Sequence, residues 1–140
     1  MTVPQFLLDT NVLSEPLKPS PNPTVMAQLS EHGAVLAISS VTYHEVKYGC
    51  LRLPDSQRKE RIHLYIQQQL EGGLPILPYD DRAAAWHAAE RDRLTRQGRT
   101  PPYVDGQIAA IAAVNRLTLV TRNVTDFEAF QDLPLENWFA

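Results

Sequence analysis

Gln5-Phe6-Leu7-Leu8-Asp9-Thr10-Asn11 is the stretch that decides the fold. Its apolar run shows no polar alternation and stops at three polar residues, so it reads as a strand buried on both faces that feeds a turn or helix start. Residues 34–39, 74–79 and 117–121 have the same near-continuous apolar character. Helical patterns fill the intervals. Asn22-Pro23 supplies an N-cap and a proline at the first helical position for a helix to about Glu31. Thr42 and Glu45 have capping-box spacing and open a helix to about Leu53. Residues 56–70 place Ile62, Tyr65, Ile66 and Leu70 at helical spacing. An alanine-rich helix over 80–97 stops at Gly98, where a glycine C-cap belongs. Residues 105–116 put Ile108, Ile111 and Ala112 on one face, and 124–130 reads as a short helix. Apolar strands alternating with helices predict an α/β fold, a three-layer α/β/α sandwich around a parallel sheet of about four or five strands.

At 140 residues the chain is expected to form one domain over 1–140. No apolar run approaches the ~18 residues of a membrane span, and residues 1–6 lack the basic segment and long apolar core of a secretory signal. Cys50 is the single cysteine, so an internal disulfide is excluded. His32, His44, His63 and His87 show no HxxxH spacing, which argues against zinc. These features predict a soluble, cytoplasmic protein without a membrane partner. Thirteen basic and 16 acidic residues leave a net charge of −3. Bulk attraction to nucleic acid is therefore not expected, and phosphates would have to be brought in by another means.

Ligands of open parallel sheets bind outside the carboxyl ends of the strands. Asp9 follows the first strand and Asp126 the fourth, while Glu45 and Asp105 begin helices whose N-termini should face the same edge. Four such carboxylates repel one another unless a cation lies between them. Helix N-termini help keep Glu45 and Asp105 ionised, and an all-oxygen donor set suits Mg²⁺ or Mn²⁺. Each acid also has a plainer reading. Asp9 caps a turn, Glu45 partners Thr42, Asp105 is a helix N-cap, and Asp126 is a solvated surface acid. Those readings suffice singly but do not explain why all four share one edge. Arg91, Arg93, Arg96 and Arg99 cluster around the end of the long helix. They form either a phosphate-binding arm or a solvated face with local ion pairs.

Ordered blocks then carry a resemblance. Leu7-Leu8-Asp9-Thr10-Asn11-Val12-Leu13-Ser14-Glu15 resembles the opening motif of PIN-domain proteins, specifically VapC-type toxins of type II toxin–antitoxin pairs. The likeness continues through residues 40–49, resumes at Asp105-Gly106-Gln107-Ile108-Ala109-Ala110 and at Thr121-Arg122-Asn123-Val124-Thr125-Asp126-Phe127, and ends with Leu135-Glu136-Asn137-Trp138. It implies an endoribonuclease toxin that uses one or two Mg²⁺ or Mn²⁺ ions to cut structured RNA, often tRNA or rRNA. Hydrolysis by activated water would leave a 5′-phosphate and a 3′-hydroxyl without needing the RNA 2′-OH. Carried over, the family's first aspartate is Asp9, its glutamate Glu45 and its next aspartate Asp105. Either Asp126 or Asn123 completes the set, with Asn123 as a neutral ligand or water contact in the first case. Thr10, Asn11 and Thr121 would orient Asp9, the metal shell or water.

The resemblance also implies a homodimer and a cognate VapB-type antitoxin whose C-terminal segment lies across the acidic groove. The apolar face of 56–70 either receives that segment or the second copy, or simply faces the core. Among the alternatives, a haloacid-dehalogenase-like phosphatase needs an aspartate where Asn11 stands. A non-catalytic PIN-like RNA-binding module and a nuclease for single-stranded DNA remain open.

Overall fold

The computed structural model describes residues 3–139; Met1 and Thr2, which belong to the segment tested for a leader, and Ala140 lie outside that range. β1 (Phe6–Leu8) forms the centre of a five-stranded sheet with β2 (Leu36–Ser39), β3 (Ile76–Leu77), β4 (Thr118–Val120) and β5 (Leu135–Glu136), in the order β3-β2-β1-β4-β5. All neighbouring strands run parallel. Phe6 is in register with both Leu36 and Thr118, and Leu8 with Val120. The chain therefore leaves β1 at Asp9 beside Thr121, where β4 ends.

The absence of alternation has a direct cause: both sheet faces are covered. Leu7, Ala37 and Leu119 pack on one side against Ala83 and Leu94 of α5 (Asp81–Arg96) and Ile108 and Ile111 of α6 (Tyr103–Val114). Phe6, Leu8, Ile38 and Val120 pack on the other, against α1 (Thr10–Leu13), α2 (Pro23–Glu31), α3 (Ser40–Leu51) and α4 (Gln57–Glu71). Alternate strand residues thus feed two cores, and each must be apolar. Among the described residues no helix is long and apolar enough to cross a membrane.

Several local expectations hold. Asn22 Oδ1 accepts from the N–H groups of Thr24 and Val25 at 2.9 and 3.1 Å, with Pro23 opening α2. Asp80 caps α5 through Ala83 N at 2.9 Å, and Gly98 follows that helix with φ +71°. Others shift. α3 starts earlier than the Thr42–Glu45 spacing predicts, because Ser39 is its N-cap and accepts from Thr42 N at 2.9 Å. Glu45 therefore sits in the second turn, beyond the part of the helix where the dipole acts strongly. α6 opens at Tyr103 rather than Asp105, with Pro102 in the N-cap position. The helix expected over 124–130 contracts to one 3₁₀ turn, Val124–Asp126, after which Phe127 and Phe130 enter the core. β5 pairs a half-buried Leu135 with an exposed Glu136, so no apolar run marks it.

Candidate active site

Asp9 is held where β1 and β4 end together. Its backbone N–H donates to Val120 O at 2.9 Å. One carboxylate oxygen accepts from Thr10 N and the other from the Thr121 hydroxyl, both at 2.8 Å. Thr121 is fully buried, and its Oγ1 accepts in turn from Asn123 N at 3.1 Å. Asn11 Oδ1 lies 3.4 Å from Arg122 N across the same junction. Thr121 and Asn11 thus tie the exit of β4 to the Asp9 turn, while Asn123 contributes its backbone and leaves an exposed side chain.

Glu45 approaches from α3. Burial raises its pKa above the ordinary carboxylate range; the Asp9 carboxylate raises it further, and Asp105 adds to this. The Thr10 hydroxyl opposes the shift, being close enough to help hold the Glu45 charge. That Oγ1 is itself buried and has no partner within hydrogen-bond distance. Asp105, half-buried in the first turn of α6, is raised by burial, then by Asp126, then by Asp9. No capping hydrogen bond occupies a side chain at this helix start, so the reading of Asp105 as an N-cap falls away. The capping-box reading of Glu45 falls with it, since Thr42 Oγ1 is buried and unpartnered. Asp126 is exposed at the end of its 3₁₀ turn, facing the site through its field on Asp105.

The four acids therefore share one rim, but they are not a ready-made cage. Among the described residues no three His, Cys, Asp or Glu side chains are gathered closely enough to enclose an ion. The donor set still fits Mg²⁺ or Mn²⁺: all its atoms are oxygens, one of its carboxylates is oriented by two hydrogen bonds, and open spacing leaves places for the waters that Mg²⁺ retains.

One arginine of the cluster is taken up by the framework. Arg93 holds Glu90 bidentately at 2.7 and 2.9 Å and donates to Ala129 O at 2.9 Å, so its guanidinium is committed to the framework. Arg96 pairs with Asp92 at 3.0 Å on the surface, and Arg91 lies 5.4 Å from the Tyr103 ring. Arg99 is exposed. A different basic edge borders the acids and has no signal in the sequence. An open cleft of about 920 Å³ begins at Thr10 and Glu45 and is flanked by Lys18 of the proline loop and by Arg58 and Arg61 of α4. Glu15, the last residue of the opening motif, has a structural place there. Only 3% exposed, it accepts from Asn22 N at 2.8 Å and pairs with Lys18 at 2.9 Å, fixing the proline loop beside the site.

A parallel sheet in this order, with acids at its carboxyl edge, is the architecture of PIN domains. The PIN domain family matches residues 6–132, and the chain belongs to that family. Within it, the relatives are toxins of the VapC and FitB kind. Toxin FitB of Neisseria gonorrhoeae is 35% identical over 141 residues, covering 95% of this chain and 98% of its own. The tRNA(fMet)-specific endonuclease VapC of Shigella flexneri is 34% identical over 134 residues, covering 96% and 98%. Among solved structures, FitAcB from Neisseria gonorrhoeae aligns with a TM-score of 0.85 at 34% identity, over 96% of this chain and 99% of that one. DNA-bound VapBC from Salmonella typhimurium aligns at 0.81 and 30% identity, over 96% and 98%.

Proposed function

We propose that this protein is a single-domain endoribonuclease toxin of a VapBC-type pair, hydrolysing phosphodiester bonds in tRNA or rRNA with Mg²⁺ or Mn²⁺. The observation that carries the reading is the gathering of Asp9, Glu45 and Asp105 at the carboxyl edge of the sheet, close enough that the Asp9 carboxylate raises the pKa of both Glu45 and Asp105. Relatives named as ribonucleases match nearly end to end and support the substrate class.

A bound divalent cation supplies charge neutralisation for the phosphate and lowers the pKa of water. Asp9 and Asp105 are assigned as direct ligands. Thr10 N and the Thr121 hydroxyl fix the Asp9 carboxylate, so that little ordering remains to be done on binding. Glu45, with its raised pKa, is placed to take a proton from the attacking water, or to ligate. Asp126 completes the acidic rim, with Asn123 as the neutral alternative at that edge. Lys18, Arg58 and Arg61 supply positive charge along the neighbouring cleft, where RNA phosphates or an antitoxin segment would lie. A VapB-type antitoxin and a second copy of this chain are the protein partners in this reading; complexes of related toxins with their antitoxins support the first.

The test is cleavage of single-stranded RNA, single-stranded DNA and a generic phosphatase substrate, each with Mg²⁺, Mn²⁺ or EDTA. Metal-dependent cleavage of RNA alone is expected, with 5′-phosphate products. Cutting of DNA at a comparable rate, or binding without cleavage, would replace the assignment.

A further inference from the structure

α6 carries Asp105 in its first turn, yet that turn lacks the usual means of being held. Pro102 occupies the N-cap position and provides no side-chain hydrogen bond, and uncapped first turns fray. α5 supplies a grip instead. His87 of α5 is 2% exposed, and its Nδ1 is 2.8 Å from the Tyr79 hydroxyl. Its opposite edge presses on Gly106, the residue after Asp105. A Cβ at Gly106 would stand 2.2 Å from His87 Nε2 and 2.6 Å from Cδ2. Nε2 is buried and has no hydrogen-bond partner. The ring also lies 4.9 Å from that of Tyr103, over which Arg91 is placed at 5.4 Å. Asp105 is thus bracketed by two residues, Tyr103 and Gly106, that α5 holds.

Glycine inside a helix is less favourable than alanine, because it loses more backbone freedom on folding. Its presence here is explained by the close approach of the imidazole. Burial, and next the Arg91 charge, hold the His87 pKa below its ordinary value, so the ring is a neutral wedge and not a charge partner. We propose that His87 is a positioning residue for Asp105: the Tyr79–His87–Gly106 stack replaces the missing helix cap and sets the direction of the Asp105 carboxylate towards Asp9 and Glu45. The inference rests on Asp105 belonging to the metal site.

The test uses the full chain, with the Kd for Mn²⁺ measured by calorimetry beside the RNA cleavage rate and the thermal midpoint. Gly106→Ala and His87→Ala should each weaken Mn²⁺ binding by about tenfold. Combining them should recover part of the loss, because the new methyl occupies space the ring has vacated. Tyr79→Phe keeps the His87 ring and removes the hydroxyl that anchors it and that also meets Tyr103. About a threefold weakening is expected there, within the range for groups that orient a ligand indirectly, with the midpoint nearly unchanged. Wild-type Mn²⁺ affinity in Tyr79→Phe and in whichever of the other single variants folds, or strictly additive losses in the double variant, would overturn the proposal. Asp105→Asn separates this from the functional reading. If that variant keeps metal affinity and cleavage, the site assignment fails and takes the inference with it. If it loses both while the His87 and Tyr79 variants bind Mn²⁺ normally, the inference alone fails.

Discussion

Two sets of acids in this protein behave in opposite ways. Glu15 and Glu90 are almost wholly buried, at 3% and 7% exposed, yet both have pKa values below the ordinary carboxylate range. Glu45 and Asp105 are more exposed, yet both are raised. Burial alone predicts the reverse order, since desolvation disfavours the charged form. The difference lies in the partners. Glu15 is lowered first by the Asn22 N–H and Glu90 first by the Arg93 guanidinium, with Gln131 N donating to Glu90 as well at 2.7 Å. The rim acids face one another. Glu15 and Glu90 therefore stabilise the fold by being charged, whereas Glu45 and Asp105 cost stability by being charged. That cost is understandable where a cation and a phosphodiester are to be received.

The comparison breaks most visibly in catalysis. Asp9→Asn removes a rim charge while retaining most of the hydrogen bonding around the side chain. Cleavage is expected to fall by about a thousandfold, with a thermal midpoint close to wild type. Undiminished cleavage under strict metal control would show that the rim is not the site. The next largest effect belongs to the framework. Arg93→Ala leaves the Glu90 carboxylate buried without its fork and should cost about 2–3 kcal/mol, a fall of roughly 6–10 °C in midpoint. Cleavage at 20 °C should survive, because Arg93 does not reach the rim. Loss of RNA affinity without loss of stability would instead return Arg93 to the substrate surface.

The same contrast shows what was legible in the sequence. Double-sided burial made β1, β2 and β4 visible, and β3 showed through the apolar run around it although Ile76 is exposed, whereas Leu135 and Glu136 of β5 sit in no such run. Asp9 was legible because it ends an apolar run. Asp105 stood out as an acid at an expected helix start, but its helix starts at Tyr103, and spacing alone could not show that the acid caps nothing. Ser39 displaced Thr42 as the cap of α3 because the helix begins where the strand ends, which no capping-box pattern records. Arg93 looked like its neighbours in an arginine-rich run. Only tertiary packing against Ala129 distinguishes it. Lys18, Arg58 and Arg61 were invisible for the complementary reason: only the fold brings Lys18 of the proline loop beside Arg58 and Arg61 of α4.

The smallest expected effect tests the sign of the contrast. A lowered folded pKa, as in Glu90, means that the unfolded state binds protons more readily. The stability it contributes is complete above the unfolded value near 4.3 and is lost as pH falls through the folded value. A raised folded pKa, as in Asp105, reverses this. The folded state keeps a proton that the unfolded chain releases, so stability falls as pH rises from the unfolded value, about 3.9, through the folded one. Denaturant unfolding of wild type, Glu90→Gln and Asp105→Asn across the acidic range should therefore show differences of opposite slope. With rising pH, Glu90→Gln becomes progressively less stable than wild type, and Asp105→Asn gains on it by a few tenths of a kcal/mol. Mn²⁺ should cancel the second difference above neutral pH and leave the first untouched, since ligation requires the ionised carboxylate. Parallel slopes for the two variants would mean that the rim and framework acids do not differ in kind.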